Sequence, residues 1–119
     1  MRRMIAVMCL FVVALSSASA CDLKGTWKGP VHFTKFFAQY GTRTLTLKVD
    51  ANCKYTFVSP GVVNTVGSAS KGLAGKKFSY RNAAGSVGSM EIVTQKGKQQ
   101  LKIIQFQGNY TAQLARVGR

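Results

Sequence analysis

Acidic residues are nearly missing from this chain. Asp22, Asp50 and Glu91 stand against 17 lysines and arginines in 119 residues. So few carboxylates can pair with only a small part of the positive charge, and the remainder must face solvent or a partner. The same scarcity limits chemistry. A carboxylate pair for glycoside hydrolysis could be drawn only from these three residues. Asp50 falls in a turn sequence, and Glu91 on the outward face of a strand pattern. A single histidine, His32, excludes a histidine-based metal cluster within one chain. It has no nucleophile elbow or comparable signature around it and reads as a solvent-facing strand residue. The run Gly85-Ser86-Val87-Gly88 lacks the strand–turn–helix setting of a phosphate-binding loop and reads as a β-turn. No catalytic residue, metal or cofactor is expected. Repeats, low-complexity tracts and linkers are also missing, and beyond residue 20 no long segment has helical periodicity.

The first 20 residues have the layout of a secretory signal. Arg2 and Arg3 precede an apolar run of 12 residues (4–15) and a small-residue tail ending in Ala18-Ser19-Ala20. Such a run is too short for a stop-transfer helix. Cleavage after Ala20 would leave residues 21–119 as one domain, large enough for one modest core. Removing Arg2 and Arg3 takes 17 basic residues to 15 against three acids, a net charge of +12 over 99 residues. Cys9 leaves as well, and the two remaining cysteines, Cys21 and Cys53, are expected to form one disulfide in a secreted or periplasmic protein. Lipidation is the alternative. Ala18-Ser19-Ala20-Cys21 is a degenerate lipobox without the usual leucine, and a lipid anchor on Cys21 would leave Cys53 as a lone thiol.

Alternation of β-branched and aromatic residues with polar ones, interrupted by glycine-rich breaks, predicts strands. They fall at 25–33, 43–50, 53–58, 62–69, 76–81, 87–95, 99–107 and 110–117, the fourth weak because its residues are small. The Asp50-Ala51-Asn52 turn makes 43–58 the strongest hairpin. Ile103-Ile104 interrupts the alternation and is read as a bulge. Seven or eight short strands without a crossover helix give an all-β, antiparallel up-and-down meander, and closing it into a small barrel removes the exposed edges. In such a meander the start of the first strand and the turn before the third share one end, so a Cys21–Cys53 bridge is within reach. A membrane-spanning barrel is not expected, since lysines occupy outward positions where lipid would sit.

At Gly25-Thr26-Trp27 the chain resembles the calycins, the lipocalin and avidin group of small barrels, whose first strand begins with a G-x-W motif. In that group the tryptophan closes one barrel end beneath a basic side chain from the far end of the fold. The resemblance implies that role for Gly25 and Trp27, with Arg116 over the indole, since parity from Tyr110 turns Arg116 inward. It does not imply biotin binding, because the further tryptophans of the avidin pocket are lacking. The C-terminal helix of larger lipocalins has no room here.

Binding is the function class that remains. The loop 34–42 carries Lys35, Phe36, Phe37 and Tyr40, with Arg43 following, and falls at the barrel end opposite the disulfide. There the aromatics either plug the barrel as core or lid a cavity that admits a hydrophobic ligand. Lys28, Lys48 and Lys54 are outward residues of the first three strands and form a candidate basic face. The partners that suit such a face are lipopolysaccharide, phospholipid headgroups, another polyanion or an acidic protein; nucleic acid would be bound without a recognised motif. A non-enzymatic binding protein for an anionic or amphipathic ligand is the leading expectation. An inhibitor of a secreted hydrolase (protease or lysozyme) and a structural envelope lipoprotein are the alternatives.

Overall fold

A computed structural model of the protein describes residues 21–72 and 76–118; the expected signal at 1–20 lies outside the described residues. Eight strands follow one another: β1 (Gly25–Phe33), β2 (Thr42–Val49), β3 (Lys54–Ser59), β4 (Val63–Lys71), β5 (Lys77–Asn82), β6 (Val87–Gln95), β7 (Lys98–Gln105) and β8 (Tyr110–Gly118). Each pairs antiparallel with the next, and β8 returns to β1, so the meander closes into a barrel. Cys21 and Cys53 are disulfide-bonded, with Cα atoms 5.4 Å apart. Among the described residues no helix is long and apolar enough to cross a membrane.

Period-two alternation delivers the core directly. Trp27, Val31, Leu45, Leu47, Phe57, Phe78, Met90, Leu101, Ile103 and Leu114 all point inward and are fully or almost fully buried. Each such side chain contributes about 1.5–3 kcal/mol relative to exposure. The one register shift between β1 and β8 falls at Thr26/Trp27. The expected bulge at Ile103-Ile104 does not form. Ile103 stays opposite Met90 and Ala112, and Ile104 opposite Ser89 and Thr111, in unbroken register. Alternation is kept at the backbone, and Ile104 is an apolar residue on the outer face, 42% exposed.

β4 is weakly apolar because its neighbours occupy its share of the interior. Of its nine residues only Ala69 is buried. A Cβ at Gly67 would strike the Tyr55 hydroxyl and the Arg81 carbonyl oxygen. Glycine there lets the Tyr55 side chain from β3 lie over β4 toward Tyr80 of β5, an alternation of small and large side chains that fills a narrow interior. Tyr55, Tyr80 and Tyr110 are all buried, and the hydroxyls of Tyr80 and Tyr110 are hydrogen-bonded at 2.7 Å.

That cluster predicts alkaline unfolding. Burial raises the pKa of all three phenols, helped at Tyr80 by the neighbouring Tyr110; at Tyr110 hydrogen bonds from Tyr80 and Ser86 oppose the rise in part. In the unfolded chain they ionise near the ordinary value of about 10. Above that pH the unfolded state binds fewer protons than the folded one, so stability falls as pH rises, by about 1.4 kcal/mol per pH unit for each phenol. Their contribution is intact below about pH 10 and is lost progressively above it. Tyrosinate absorbance and circular dichroism recorded together should show these tyrosines ionising only as the barrel melts. Their ionisation with the β-signal unchanged would contradict their burial.

Candidate functional site: an outer basic groove and an aromatic end

The first barrel end is shut by the segment entering β1. Gly25 has φ of 131°, a conformation that suits glycine and turns the chain into the strand. Leu23 and Trp27 are completely buried, and the indole Nε1 donates to the Leu23 carbonyl at 2.9 Å. Arg116 lies over the indole, its guanidinium carbon 4.1 Å from the ring centroid. It donates to the carbonyl oxygens of Lys24 (2.6 Å) and Asp22 (3.1 Å) and to Gln99 Oε1 (2.9 Å). One cation thus satisfies backbone acceptors and stacks on an aromatic face, a contact of about 0.5–2 kcal/mol. The bridge from Cys21 to Cys53 ties the same segment to the β2–β3 turn. In that turn Asp50 Oδ1 accepts from the backbone of Asn52 (2.8 Å) and Lys54 (3.0 Å). Cys21, Gly25, Trp27, Cys53 and Arg116 therefore form a single clasp.

The opposite end has a different character. Lys35–Tyr40 forms a 3-10 helix between β1 and β2. Phe37 packs edge-on against Phe33 (6.4 Å between centroids) and stacks with Tyr40 (6.2 Å). Tyr40 in turn lies edge-on to Phe33 and beneath Arg43, whose guanidinium carbon is 5.7 Å from the ring centroid. Phe36 belongs neither to a plug nor to this stack, being 84% exposed. Behind Phe37 a cavity of about 330 Å³ is floored by Phe33, Phe57 and Tyr110. Two of its polar side chains are committed to the loops around it. Asn82 Oδ1 accepts from the backbone of Ala84 and Ser86, while Gln105 accepts from the Asn109 backbone and donates to Ser86. Among the described residues no charged side chain lines this cavity.

Charge gathers instead on the outer wall near the clasp. Lys48 of β2 is opposite Thr26 and Thr56, and Thr56 is opposite Val66. Lys54 of β3 is opposite Ser68, which is opposite Arg81 of β5. Long cationic side chains therefore flank short ones, and the sheet carries an open groove of about 910 Å³. Its lining includes Lys24, Lys48, Lys54 and Arg81, with hydroxyls from Thr26, Thr56 and Ser68 and the apolar Val66, which is 57% exposed. The only acid of the lining, Asp50, is engaged by its own turn. Lys54 and Arg81, two strands apart, have backbones about 10 Å from each other at ordinary strand spacing.

Of the basic face expected from sequence, Lys48 and Lys54 line the groove, whereas Lys28 is exposed two residues farther along β1 than Thr26, opposite Thr46. Lys24, Arg81 and Val66 were not singled out from sequence. Arg81 is on the outward face of its strand by parity, but its place beside Lys54 depends on how β3, β4 and β5 register. The aromatic-loop set, Lys35, Phe36, Phe37, Tyr40 and Arg43, is together at the far end, separate from the groove. His32 is exposed and its Nδ1 shares a hydrogen bond with Thr42 Oγ1 at 2.8 Å. Glu91 is exposed between Lys77 and Lys102 on the flanking strands. Asp22 pairs with Lys71 at 3.2 Å on the surface. Among the described residues no group of three metal-ligating side chains comes together.

The chain matches no protein-family model, no curated protein and no solved structure. The closed eight-stranded antiparallel barrel is compatible with a small calycin-like fold.

Proposed function

We propose that the protein is a non-enzymatic binding module of the secreted or periplasmic space, built on a calycin-like barrel, that holds a multiply anionic ligand in the groove across β1–β5. One observation carries this reading: four cations, Lys24, Lys48, Lys54 and Arg81, surround a floor of hydroxyls and one exposed valine, against a single carboxylate, Asp50, whose Oδ1 is held by its own turn. Ammonium, guanidinium and hydroxyl donors suit phosphate, sulfate or carboxylate oxygens. The valine and the lysine stems add apolar surface for an amphipathic ligand such as lipopolysaccharide. Beneath the groove the inward side chains Trp27, Leu47, Tyr55 and Tyr80 are buried, so its wall rests on packed core.

The charge-reversed variant Lys54→Glu/Arg81→Glu tests the reading. It replaces two attractions with two repulsions, each exposed pair being worth about 0.2–1 kcal/mol. Affinity for heparin, polyphosphate or lipopolysaccharide should fall about tenfold or more, while circular dichroism stays unchanged. Binding should also weaken steeply with salt, since exposed charges are screened within about 8 Å at physiological ionic strength. Affinity insensitive to both the substitution and salt would contradict the reading and favour an inhibitor of a secreted hydrolase.

A further inference from the structure

The barrel end opposite the clasp carries exposed aromatics that neither the fold nor the groove uses. Phe36 on the 3-10 helix is 84% exposed, Phe106 on the β7–β8 turn is 67% exposed, and Phe37 is 39% exposed. Large apolar rings at such exposure on neighbouring loops mark an interaction surface. The two loops are tied together. Thr34 Oγ1 donates to the Gly108 carbonyl at 2.6 Å, the Thr34 amide to the Asn109 carbonyl at 2.8 Å, and Lys35 Nζ to the Gln107 carbonyl at 3.1 Å. Phe36 and Phe106 are each the immediate chain neighbour of a residue in the Lys35–Gln107 contact, so both belong to one rim and are held there by the same bonds.

The charges at this end are all of one sign. Lys35 and Arg43 flank the rings, held by the Gln107 and Tyr40 carbonyl oxygens respectively. All three acids of the chain lie elsewhere. Asp22 and Asp50 are at the clasp, and Glu91 is on the outer face of β6 between Lys77 and Lys102. Protruding phenyl rings beside cations, with no carboxylate near them, complement an anionic bilayer. The rings enter the boundary between headgroups and acyl chains, and each nearby cation adds attraction to the surface potential.

We infer that this aromatic end docks on anionic phospholipid membranes, with Phe36 and Phe106 as the inserted side chains and Lys35 and Arg43 at headgroup level. Docking in this way stands the barrel on end and leaves the groove, on the wall near the clasp, facing the aqueous phase. The surface is separate from the groove, so the two can fail independently.

Co-sedimentation of the purified protein with phosphatidylglycerol–phosphatidylcholine vesicles tests the inference. Binding is expected to anionic vesicles and to be at least tenfold weaker to pure phosphatidylcholine. Phe36→Ser/Phe106→Ser should lose at least tenfold in vesicle affinity while retaining heparin binding, and the high exposure of both rings means the fold tolerates the change. In a second variant, Phe36→Trp, emission from the new indole should shift to the blue on anionic vesicles, against the constant background of buried Trp27. Vesicle affinity that survives loss of both phenylalanines, or a Phe36→Trp spectrum that does not move, overturns the inference. So does vesicle binding lost in Lys54→Glu/Arg81→Glu but kept in the phenylalanine variant, which would assign the lipid to the groove. Absence of vesicle binding together with stoichiometric capture of a secreted hydrolase at this end would overturn it as well.

Discussion

Trp27→Ala should destabilise the barrel by about 3–5 kcal/mol, the range for loss of a fully buried large aromatic. The position is more demanding than an ordinary core site. Three interactions end together: the packing of the ring, the Nε1 bond to the Leu23 carbonyl and the platform beneath Arg116. Arg116 would still donate to the Asp22 and Lys24 carbonyls, but over a cavity instead of a ring. For a domain of this size, total stability is on the order of 5–15 kcal/mol. The midpoint of thermal unfolding should accordingly drop by on the order of 20 °C. Urea titration followed by circular dichroism measures this directly. A loss below about 1 kcal/mol would mean that the indole is not what closes the barrel.

The second large effect belongs to the disulfide. The bridge joins cysteines 32 residues apart and fixes the entry of β1 against the β2–β3 turn. In the chain-entropy account, opening a loop of that length costs about 3–4 kcal/mol. Reduction, or Cys21→Ser/Cys53→Ser, should lower the urea midpoint and steepen the transition somewhat, since the unlinked denatured chain is more expanded and exposes more surface. Because Leu23 and Trp27 belong to the same segment, the clasp should loosen before the rest of the barrel, seen as early quenching of Trp27. Denaturation curves that coincide with and without reductant would show that the cysteines are not bridged in the isolated protein. Mass spectrometry then distinguishes a free thiol from an acylated Cys21.

The fold was legible in sequence wherever a strand supplies large inward side chains at period two. β1 and β6 have the expected bounds, and the β2–β3 hairpin follows from Leu47 and Val49 facing Phe57 and Tyr55 across the Asp50 turn. β4 gave little signal because its inward positions, among them Gly67 and Ala69, leave their volume to aromatics from β3 and β5. Ile103-Ile104 looks like a bulge in sequence because an apolar residue on the outer face has the same pattern as a break in register. The 3-10 helix at Lys35–Tyr40 had no sequence signal, since it has no buried residue and no side-chain cap.

The groove was legible only in part, for a physical reason. Outward lysines on β2 and β3 can be found by parity within each strand. Arg81 joins them only through the registers Lys54–Ser68 and Ser68–Arg81, which long-range pairing sets. Lys24 lies ahead of β1 and is brought in by the clasp that Arg116 fastens. The clasp and the groove are therefore linked: the interactions that close the barrel also place a cation at the groove's edge.

Amide and side-chain chemical-shift mapping of the isotopically labelled protein, titrated with a short polyphosphate, tests the central claim most directly. Binding in the groove predicts that the shifts concentrate on Lys24, Lys48, Lys54, Val66, Ser68 and Arg81 and disappear at high salt. Shifts confined to the aromatic end, or spread evenly over every surface lysine, would contradict it.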